Sequence, residues 1–266
     1  MIATDIDNTL AEMYSSELSE YCLDTINKLT KQGIEFVPNT GRSLSALPHN
    51  FDKTGIRYAI LGNGACIYDV KEQKEIKTFY VNDNDIKPLA DIAKSIKALF
   101  MTFIDNKIYI DSKLDGLVLD EDVKETLKFY TVVDNLLDFI NSNKLKVQKI
   151  CIITTFENKE KYRKIISEQF DDLYVSSFSD NSIELSSNKT DKGKALKYLC
   201  DYLNVDLNDV VASGDGENDY PMLEAAGYSI TPKNGHESLK KIANVISDNA
   251  SEDGVSKAYR KLFNID

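Results

Sequence analysis

The fold and the chemistry of this chain depend on one stretch near its start, Asp5-Ile6-Asp7-Asn8-Thr9-Leu10. The apolar run Met1 to Thr4 precedes it and predicts the end of a short buried strand. Residues two apart on an extended backbone project to the same side, so we expect Asp5 and Asp7 to face one spot. Two carboxylates that close need a cation or a shared proton, and such a pair can divide nucleophilic attack from proton transfer. The alternative is a solvated turn with Asn8 as its turn residue.

The composition of the chain describes an ordinary globular protein. Its 266 residues are 42% hydrophobic and 28% charged, and a chain of this length fits two lobes as well as one. No apolar run approaches the length of a membrane span, and no charged-then-apolar leader precedes the first motif. We therefore expect a cytoplasmic protein with no membrane partner.

The charge of the chain restricts its partners. The net charge is −11, from 32 Lys and Arg against 43 Asp and Glu, and no dense basic tract stands out. A nucleic-acid partner is therefore disfavoured, whereas an anionic small molecule needs a locally cationic site. The cysteines and histidines are too scattered for a zinc centre or a disulfide framework, and the cysteines are expected to be reduced, mostly buried thiols: Cys22, Cys66, Cys151, Cys200, His49 and His236.

The next forty residues predict the start of a parallel sheet. Apolar residues at helical spacing predict a helix over Ser16 to Lys31, and a short strand, Ile34 to Val37, follows. Pro38 excludes a central position for that strand, because proline has no backbone N–H to donate to a neighbouring strand. The order strand, helix, strand is typical of a doubly wound α/β sheet.

The second strand runs into Asn39-Thr40-Gly41-Arg42. Ligands of open α/β sheets bind beyond the carboxyl ends of the strands. A hydroxyl, a backbone N–H freed by glycine and a helix N-terminus suit a phosphate oxygen, and Arg42 would reach the same anion or brace the loop. A Thr-Gly turn with a helix cap is the alternative.

A third strand, Ala59 to Leu61, is predicted before Gly62-Asn63-Gly64-Ala65. This GxG is not a dinucleotide loop, because Ile67 occupies the place of the third glycine and no helix follows. A hairpin over residues 66–68 and 76–81 is predicted instead. We expect Asn63 and Gly64 to lie near the site.

Antiparallel signals then interrupt the βαβ pattern and predict an inserted α+β lobe. The predicted elements are a helix over 85–98, a hairpin over 100–110, a helical segment over 121–140, a strand over 147–154, a helix over 157–170 and a pair of strands within 173–185. The basic residues of this lobe are interpreted as solvated faces rather than a binding patch: Lys144, Lys146, Lys149, Lys161, Arg163 and Lys164.

After the insert, Thr190 or Asp191 is expected to cap a helix from Lys194 to Tyr202. Lys192 would then lie in the first turn, where a cation opposes the helix dipole. A lysine placed against local preference is a functional candidate, and a surface lysine on a frayed turn is the alternative.

The last motif follows a buried strand, Val210 to Ala212, and reads Ser213-Gly214-Asp215-Gly216-Glu217-Asn218-Asp219. An EF-hand is rejected, because Tyr220 and Ala226 stand where its glycine and its bidentate Glu belong. What remains is an acidic loop suited to Mg²⁺, which prefers a few hard oxygens and a substrate phosphate.

Together these stretches resemble the four motifs of the haloacid dehalogenase (HAD) superfamily. The chain is most similar to the Cof-type phosphatases, which carry a large α+β cap of the C2B type. The resemblance implies an α/β, Rossmann-like doubly wound core over residues 1–81 and 187–266, with an inserted α+β cap over residues 82–186. Asn8 departs from the glycine usual in this subgroup, but asparagine tolerates positive φ.

The resemblance also implies a role for each motif residue. Asp5 would be the nucleophile and Asp7 the general acid and base. Mg²⁺ would be held by the carboxylates of Asp5 and Asp215 and by the backbone carbonyl of Asp7. The groups implied to bind the phosphoryl oxygens are the Ile6 amide, Thr40, the Gly41 N–H, Lys192 and Asn218. Supporting positions are Asp219, Arg42 and Asn63.

The implied activity is Mg²⁺-dependent hydrolysis of small phosphomonoesters, sugar phosphates or related metabolites, through an aspartyl-phosphate. Two alternatives stay open. One is a phosphosugar mutase on the same scaffold, and the other is a non-catalytic regulator that binds a phosphorylated ligand. The sequence leaves the oligomeric state and the physiological substrate open.

Overall fold

The structure, a computed structural model, describes residues 1–112 and 130–266. Its contacts divide the chain into two compact units. The first unit comprises Met1–Arg42, Leu47–Lys77 and Asp191–Asp266, and the second comprises Ser43–Ala46 and Thr78–Thr190. The assignment of catalytic core and cap to particular residues stays a prediction. In the described part of the chain, no helix has both the length and the apolar character that a membrane span requires.

The described strands and helices are numbered in chain order. The strands are β1 Ile2–Thr4, β2 Phe36–Pro38, β3 Tyr58–Leu61, β4 Cys66–Asp69, β5 Lys74–Thr78, β6 Leu99–Ile104, β7 Lys107–Asp111, β8 Thr131–Val133, β9 Lys149–Ile153, β10 Leu173–Ser176, β11 Ser182–Ser187, β12 Val211–Ser213, β13 Tyr228–Pro232 and β14 Val245–Ser247. The helices are α1 Glu20–Lys31, α2 Asp83–Ser95, α3 Leu136–Ser142, α4 Phe156–Gln169, α5 Lys192–Leu203, α6 Tyr220–Ala225, α7 Glu237–Lys240 and α8 Gly254–Phe263.

The first unit is built on a parallel sheet of five strands in the order β14-β13-β12-β1-β2. Successive residues of β1, β2 and β12 pack into different cores, as the alternation of a strand requires. Ile2 packs with α1 and α8, whereas Ala3 packs with α5, α6 and α7. The sheet is therefore covered by helices on both faces, which confirms the predicted doubly wound fold.

The predicted third strand, β3, is not a member of the parallel sheet. β3 pairs with β4 in a separate antiparallel sheet of order β3-β4-β5, and it meets the extension of β2 only at a bridge between Asn39 and Ile60. Pro38 ends β2, the edge strand of the parallel sheet. Because proline has no N–H to donate, it limits pairing on that side.

The second unit contains a sheet of six strands in the order β10-β11-β9-β6-β7-β8, with helices α2, α3 and α4 contributing to the core on one face. All of its pairs are antiparallel except β7 with β8. The helical segment predicted over 121–140 is wrong at Thr131–Val133, which forms β8, and is confirmed from Leu136 onward, where α3 begins. Three β-branched residues in a row favour a strand at Thr131–Val133. Residues 121–129 of that prediction lie outside the described residues.

Candidate functional site

The carboxyl ends of β1 and β12 bring the two acidic motifs together. The strands are neighbours, with Thr4 opposite Ser213, and the Asp5 N–H donates to the Ser213 carbonyl at 2.9 Å. Three carboxylates meet beyond this point: one oxygen each of Asp5, Asp215 and Asp219 lies within 4.8 Å of the others. This is the edge of the sheet at which ligands of α/β proteins bind.

Lys192 lies inside this cluster. It is the first residue of α5, is fully buried, and places its Nζ 2.8 Å from Asp5 Oδ1 and 2.6 Å from Asp219 Oδ1. The interpretation as a surface lysine is therefore wrong. The start of the helix is fixed because the Asp191 carboxylate accepts a hydrogen bond from the Lys194 N–H at 2.7 Å. Asp191, rather than Thr190, is the N-cap.

Asp219 is fully buried, and both of its oxygens are occupied by the protein. Oδ1 pairs with Lys192, and Oδ2 accepts the backbone N–H groups of Asp215 at 3.0 Å and Gly216 at 2.9 Å. A Cβ on Gly214 would lie 2.4 Å from Asp219 Cγ, so only glycine allows this close approach. Asp219 therefore orders the acidic loop and holds Lys192.

The cluster contains more acidic groups than basic ones. Burial, together with the charges of Asp219 and Asp7, raises the pKa of Asp5 to about 7 although Lys192 opposes the shift. Burial and the charges of Asp219 and Asp5 raise the pKa of Asp215 to about 8. Burial alone would lower the pKa of Lys192, but Asp219 and Asp5 outweigh it and raise that pKa. One ammonium group does not balance three carboxyl groups, of which Asp5 and Asp219 are buried and Asp215 is half-buried.

The donor set of this cluster fits a small divalent cation. Asp5 uses Oδ1 for Lys192, and Asp215 accepts the Thr9 hydroxyl through Oδ1 at 3.1 Å. Across residues 1–112 and 130–266, the second oxygen of each of these two carboxylates receives no hydrogen bond from a protein donor. Two hard, anionic oxygens in a partly closed site match the preference of Mg²⁺, which completes its shell with water and substrate oxygens.

Asp7 is held separately by Arg42. The guanidinium donates from Nε to Asp7 Oδ2 at 2.9 Å and from Nη2 to Oδ1 at 2.6 Å, a bidentate pair. The Tyr14 N–H also donates to Asp7 Oδ1 at 2.8 Å, and Arg42 Nη1 donates to the Ser15 carbonyl at 2.9 Å. Of the two predicted roles for Arg42, the structure shows that it braces the loop.

The turn after Asp7 depends on asparagine. Asn8 has a φ of 54°, the left-handed region that asparagine tolerates better than most residues. Its carbonyl accepts a hydrogen bond from the Asn234 side chain at 2.8 Å. The expectation that asparagine preserves this turn in place of glycine is confirmed.

The remaining predicted groups lie on loops that are bonded to one another. Thr40 is fully buried, its Oγ1 accepts the Arg42 N–H at 3.1 Å, and its carbonyl accepts the Asn63 N–H at 2.9 Å. The Asn218 amide donates to Asn63 Oδ1 at 3.2 Å. Gly41 follows Thr40 on the same loop, and Ile6, between the two aspartates, is fully buried.

Two contacts of this site were not predicted. Thr9 bonds the metal-binding candidate Asp215, and the buried Asn39 side chain donates to the Lys192 carbonyl at 2.9 Å. Asn39 also lies at the end of β2, where polar residues gather at the site, and that position was the available signal. The partner of Thr9 lies 206 residues away along the chain, so no local pattern points to it.

The family is decided by comparison with known proteins. The family model described as haloacid dehalogenase-like hydrolase matches residues 2–259. The chain belongs to this family. It is 27% identical to the phosphatase YwpJ of Bacillus subtilis, over 99% of each chain. It is 26% identical to a phosphoglycolate phosphatase of Methanobrevibacter smithii, over 98% of this chain and 97% of that protein.

Solved structures of HAD members agree with the fold. A haloacid dehalogenase-like hydrolase of B. subtilis superposes with a TM-score of 0.84 at 26% identity, covering 98% of this chain and 99% of the other. The subclass IIB sugar phosphatase BT4131 has a TM-score of 0.82 at 19% identity, covering 100% and 99%, and this likeness shows the fold alone. The predicted family, fold class and enzyme class are confirmed: this HAD member is a phosphatase, a phosphoric monoester hydrolase.

Proposed function

We propose that this HAD phosphatase is Mg²⁺-dependent and hydrolyses small phosphomonoesters through an aspartyl-phosphate on Asp5. The observation that carries the proposal is the buried cluster in which Lys192 bridges Asp5 and Asp219 while Asp215 lies alongside. A nucleophilic carboxylate beside a fixed ammonium is suited to phosphoryl transfer, which depends mainly on positioning and on cancellation of charge.

In the first half-reaction, a carboxylate oxygen of Asp5 forms a bond to phosphorus while the bond from phosphorus to the leaving oxygen breaks. Asp7 gives its proton to that leaving oxygen, so an alcohol departs. In this proposal the phosphoryl oxygens are bound by the Ile6 amide, Thr40, the Gly41 N–H, Lys192 and Asn218. The Mg²⁺ ion, held by Asp5 and Asp215, would supply further positive charge toward the phosphate.

In the second half-reaction, Asp7 takes a proton from a water molecule as that water attacks the phosphorus of the aspartyl-phosphate. The bond between phosphorus and Asp5 breaks, inorganic phosphate leaves, the Asp5 carboxylate is restored and Asp7 is again protonated. The bidentate contact of Arg42 fixes the direction in which the Asp7 carboxylate presents its oxygens. A fixed direction favours both proton transfers, since each needs hydrogen-bond distance to the reacting oxygen.

The substrate class we propose is a small phosphorylated metabolite such as a sugar phosphate. Support comes from the relatives, among them a phosphoglycolate phosphatase over nearly the whole chain. The second unit, which contains most of the predicted cap, would supply specificity. We keep the cytoplasm as the predicted location.

The test is phosphate release from a panel of phosphorylated metabolites, with Mg²⁺ and with EDTA, for the wild-type protein and for Asp5→Asn. We expect release that requires both Mg²⁺ and Asp5. Isomerised sugar phosphate without inorganic phosphate would instead show a mutase. Tight binding of a phosphorylated ligand without any turnover would show a regulator.

A further inference from the structure

Tyr259, in the helix α8 near the end of the chain, is fully buried directly beneath the two acidic strand ends. Its hydroxyl lies 2.6 Å from Ser213 Oγ, and the nearby Thr4 hydroxyl, like Ser213, partly offsets the rise that burial causes in the pKa of the phenol. Thr4 and Ser213 are the last residues of β1 and β12 and lie opposite each other in the sheet. The phenol therefore hydrogen-bonds the end of β12 and lies near the end of β1, the two strands from which the acidic motifs extend.

The contacts of Tyr259 lead directly to the backbone of the site. The Thr4 hydroxyl donates to the Asp5 carbonyl at 2.9 Å, and Ser213 precedes the glycine that packs against Asp219. The hydroxyl that bonds the Asp5 carbonyl is therefore that of Thr4, beside the phenol. The phenol's hydrogen-bond partner Ser213 lies two residues before Asp215 in the chain.

Packing alone does not account for a tyrosine at this position. The ring contacts Phe36 edge to face, with centroids 6.1 Å apart, among apolar side chains of the core. A phenylalanine would fill the same space, and a buried hydroxyl is costly unless it is hydrogen-bonded. The hydroxyl therefore adds a specific link to the strand ends that the apolar ring does not provide.

The helix that carries Tyr259 is itself fixed. Ser19 Oγ donates to Asp253 Oδ1, beside the start of α8, at 2.5 Å. Near its end, Arg260 Nε donates to Thr25 Oγ1 at 2.7 Å. Both contacts join α8 to the N-terminal helix α1 or its cap, so the phenol has little freedom to follow a shift of the strand ends.

We infer that Tyr259 is a positioning residue that sets the separation of the Asp5 and Asp215 carboxylates for a divalent cation. The inference rests on the proposed Mg²⁺ site. A partner one step beyond the ligands changes metal affinity by orienting them, typically by about 10- to 100-fold when it is removed. Because Tyr259 acts through Thr4 and Ser213, we expect the lower end of that range.

The experiment measures binding of Mg²⁺ by calorimetry, without substrate, to the wild-type protein, Tyr259→Phe and Tyr58→Phe. Tyr58 is the matched control, a buried tyrosine of β3 in the same unit. We expect about tenfold weaker binding for Tyr259→Phe. We expect wild-type affinity for Tyr58→Phe, with both variants folded by circular dichroism.

Wild-type affinity in a folded Tyr259→Phe would overturn the inference and leave the proposed function intact. A wild-type protein that binds no Mg²⁺ would overturn the proposed function and the inference with it. If Tyr259→Phe fails to fold, Ser213→Ala removes the partner hydroxyl instead, and the same tenfold weakening is expected.

A kinetic readout separates positioning from a general loss of structure. In Tyr259→Phe we expect the Mg²⁺ concentration for half-maximal phosphate release to rise by the same factor as the dissociation constant, with kcat at saturating Mg²⁺ close to the wild-type value. A fall in kcat at saturating Mg²⁺, with unchanged affinity for the ion, would contradict the inference.

Discussion

Two buried lysines, one in each compact unit, show how charge balance separates a functional site from a structural ion pair. Lys149 of β9 pairs with Glu184 of β11, and its Nζ lies 4.7 Å from the centroid of the Phe103 ring. Lys192 faces two carboxylates directly, with Asp215 as the third member of the cluster. Both lysines are almost completely buried.

The two lysines differ in the number of carboxyl groups that surround them. The ion pair of Lys149 with Glu184 joins one positive and one negative group. Around Lys192 one cation meets three carboxylates, and the pKa of Asp5 rises to about 7 and that of Asp215 to about 8, chiefly because these groups are buried. A surplus of acidic groups in one site calls for a second cation or for bound protons, which a balanced pair does not need.

The largest effect is expected for Asp5→Asn, which removes the nucleophile and keeps the side-chain shape. Phosphate release should fall by about 10³-fold or more, because no covalent intermediate can form. The measurement is steady-state phosphate release at saturating Mg²⁺, with circular dichroism as the control for folding. Activity close to that of the wild type would contradict the mechanism.

The comparison of the lysines is tested directly by Lys192→Met and Lys149→Met. For Lys192→Met we expect kcat/KM to fall by about 10²- to 10³-fold, since a fixed charge on the transferring group is lost. For Lys149→Met we expect wild-type kcat/KM but a free energy of unfolding lower by about 3–5 kcal/mol, because Glu184 loses its partner. Denaturant unfolding and kinetics on both variants provide the two measurements.

The comparison would fail if the two lysine variants exchanged their effects. A Lys149→Met protein that unfolds like the wild type but loses activity would place Lys149 in the chemistry. A Lys192→Met protein with wild-type kcat/KM would remove Lys192 from it.

The two lysines also show which features of the structure could be predicted from the sequence. Lys192 was predicted to be functional, because a cation in the first turn of a helix stands against local preference. Lys149 was predicted to be a solvated residue and is buried instead. Its partner Glu184 lies 35 residues away on another strand, and the register of two antiparallel strands is fixed by the folded sheet rather than by local pattern.

The motif residues were predictable for a related reason. Asp5, Thr40 and Asp215 each follow a strand of one parallel sheet, whose carboxyl ends share an edge. The bidentate pairing of Asp7 with Arg42 and the link from Tyr259 to Ser213 were not predicted. Both depend on side-chain directions across elements distant in sequence, which neither spacing nor propensity reports.

A smaller effect is expected for Arg42→Lys, with Arg57→Lys as the matched control. Both arginines pair with an aspartate in the first unit, but Arg57 bonds Asp69, at 3.1 Å, in the separate antiparallel sheet. Lysine cannot make the bidentate contact, so Asp7 loses its fixed direction and kcat should fall about tenfold.

The control for Arg42→Lys is expected to keep the wild-type kcat, because Asp69 lies outside the site. The measurement is kcat at saturating substrate and Mg²⁺ for both variants. Equal losses in the two variants would show that the effect of Arg42 is general rather than specific to Asp7.

The smallest effect concerns pH. The folded, metal-free protein holds protons on Asp5 and Asp215 up to pKa values of about 7 and about 8, above the ordinary value of 3.8. These groups therefore contribute stability at low pH that is lost as the pH rises through this window. Since Mg²⁺ competes with those protons, the increase in Tm that it causes should be larger at pH 8 than at pH 6.

Thermal unfolding with Mg²⁺ and with EDTA at the two pH values measures this effect. Asp215→Asn removes one of the two titrating ligands. In this variant the increase in Tm caused by Mg²⁺ should differ less between the two pH values. An increase in Tm that is the same at both pH values would contradict the view that protons and Mg²⁺ share these carboxylates.

The central claim, that Asp5 attacks phosphorus within this cluster, is tested most directly by trapping the covalent intermediate. The protein is mixed with a good substrate, quenched in acid during turnover and analysed by peptide mass spectrometry. We predict one phosphoryl group on the peptide that contains Asp5, present with Mg²⁺ and absent with EDTA or in Asp5→Asn. Turnover with no phosphoryl group on Asp5, or with one on another residue, would contradict the account.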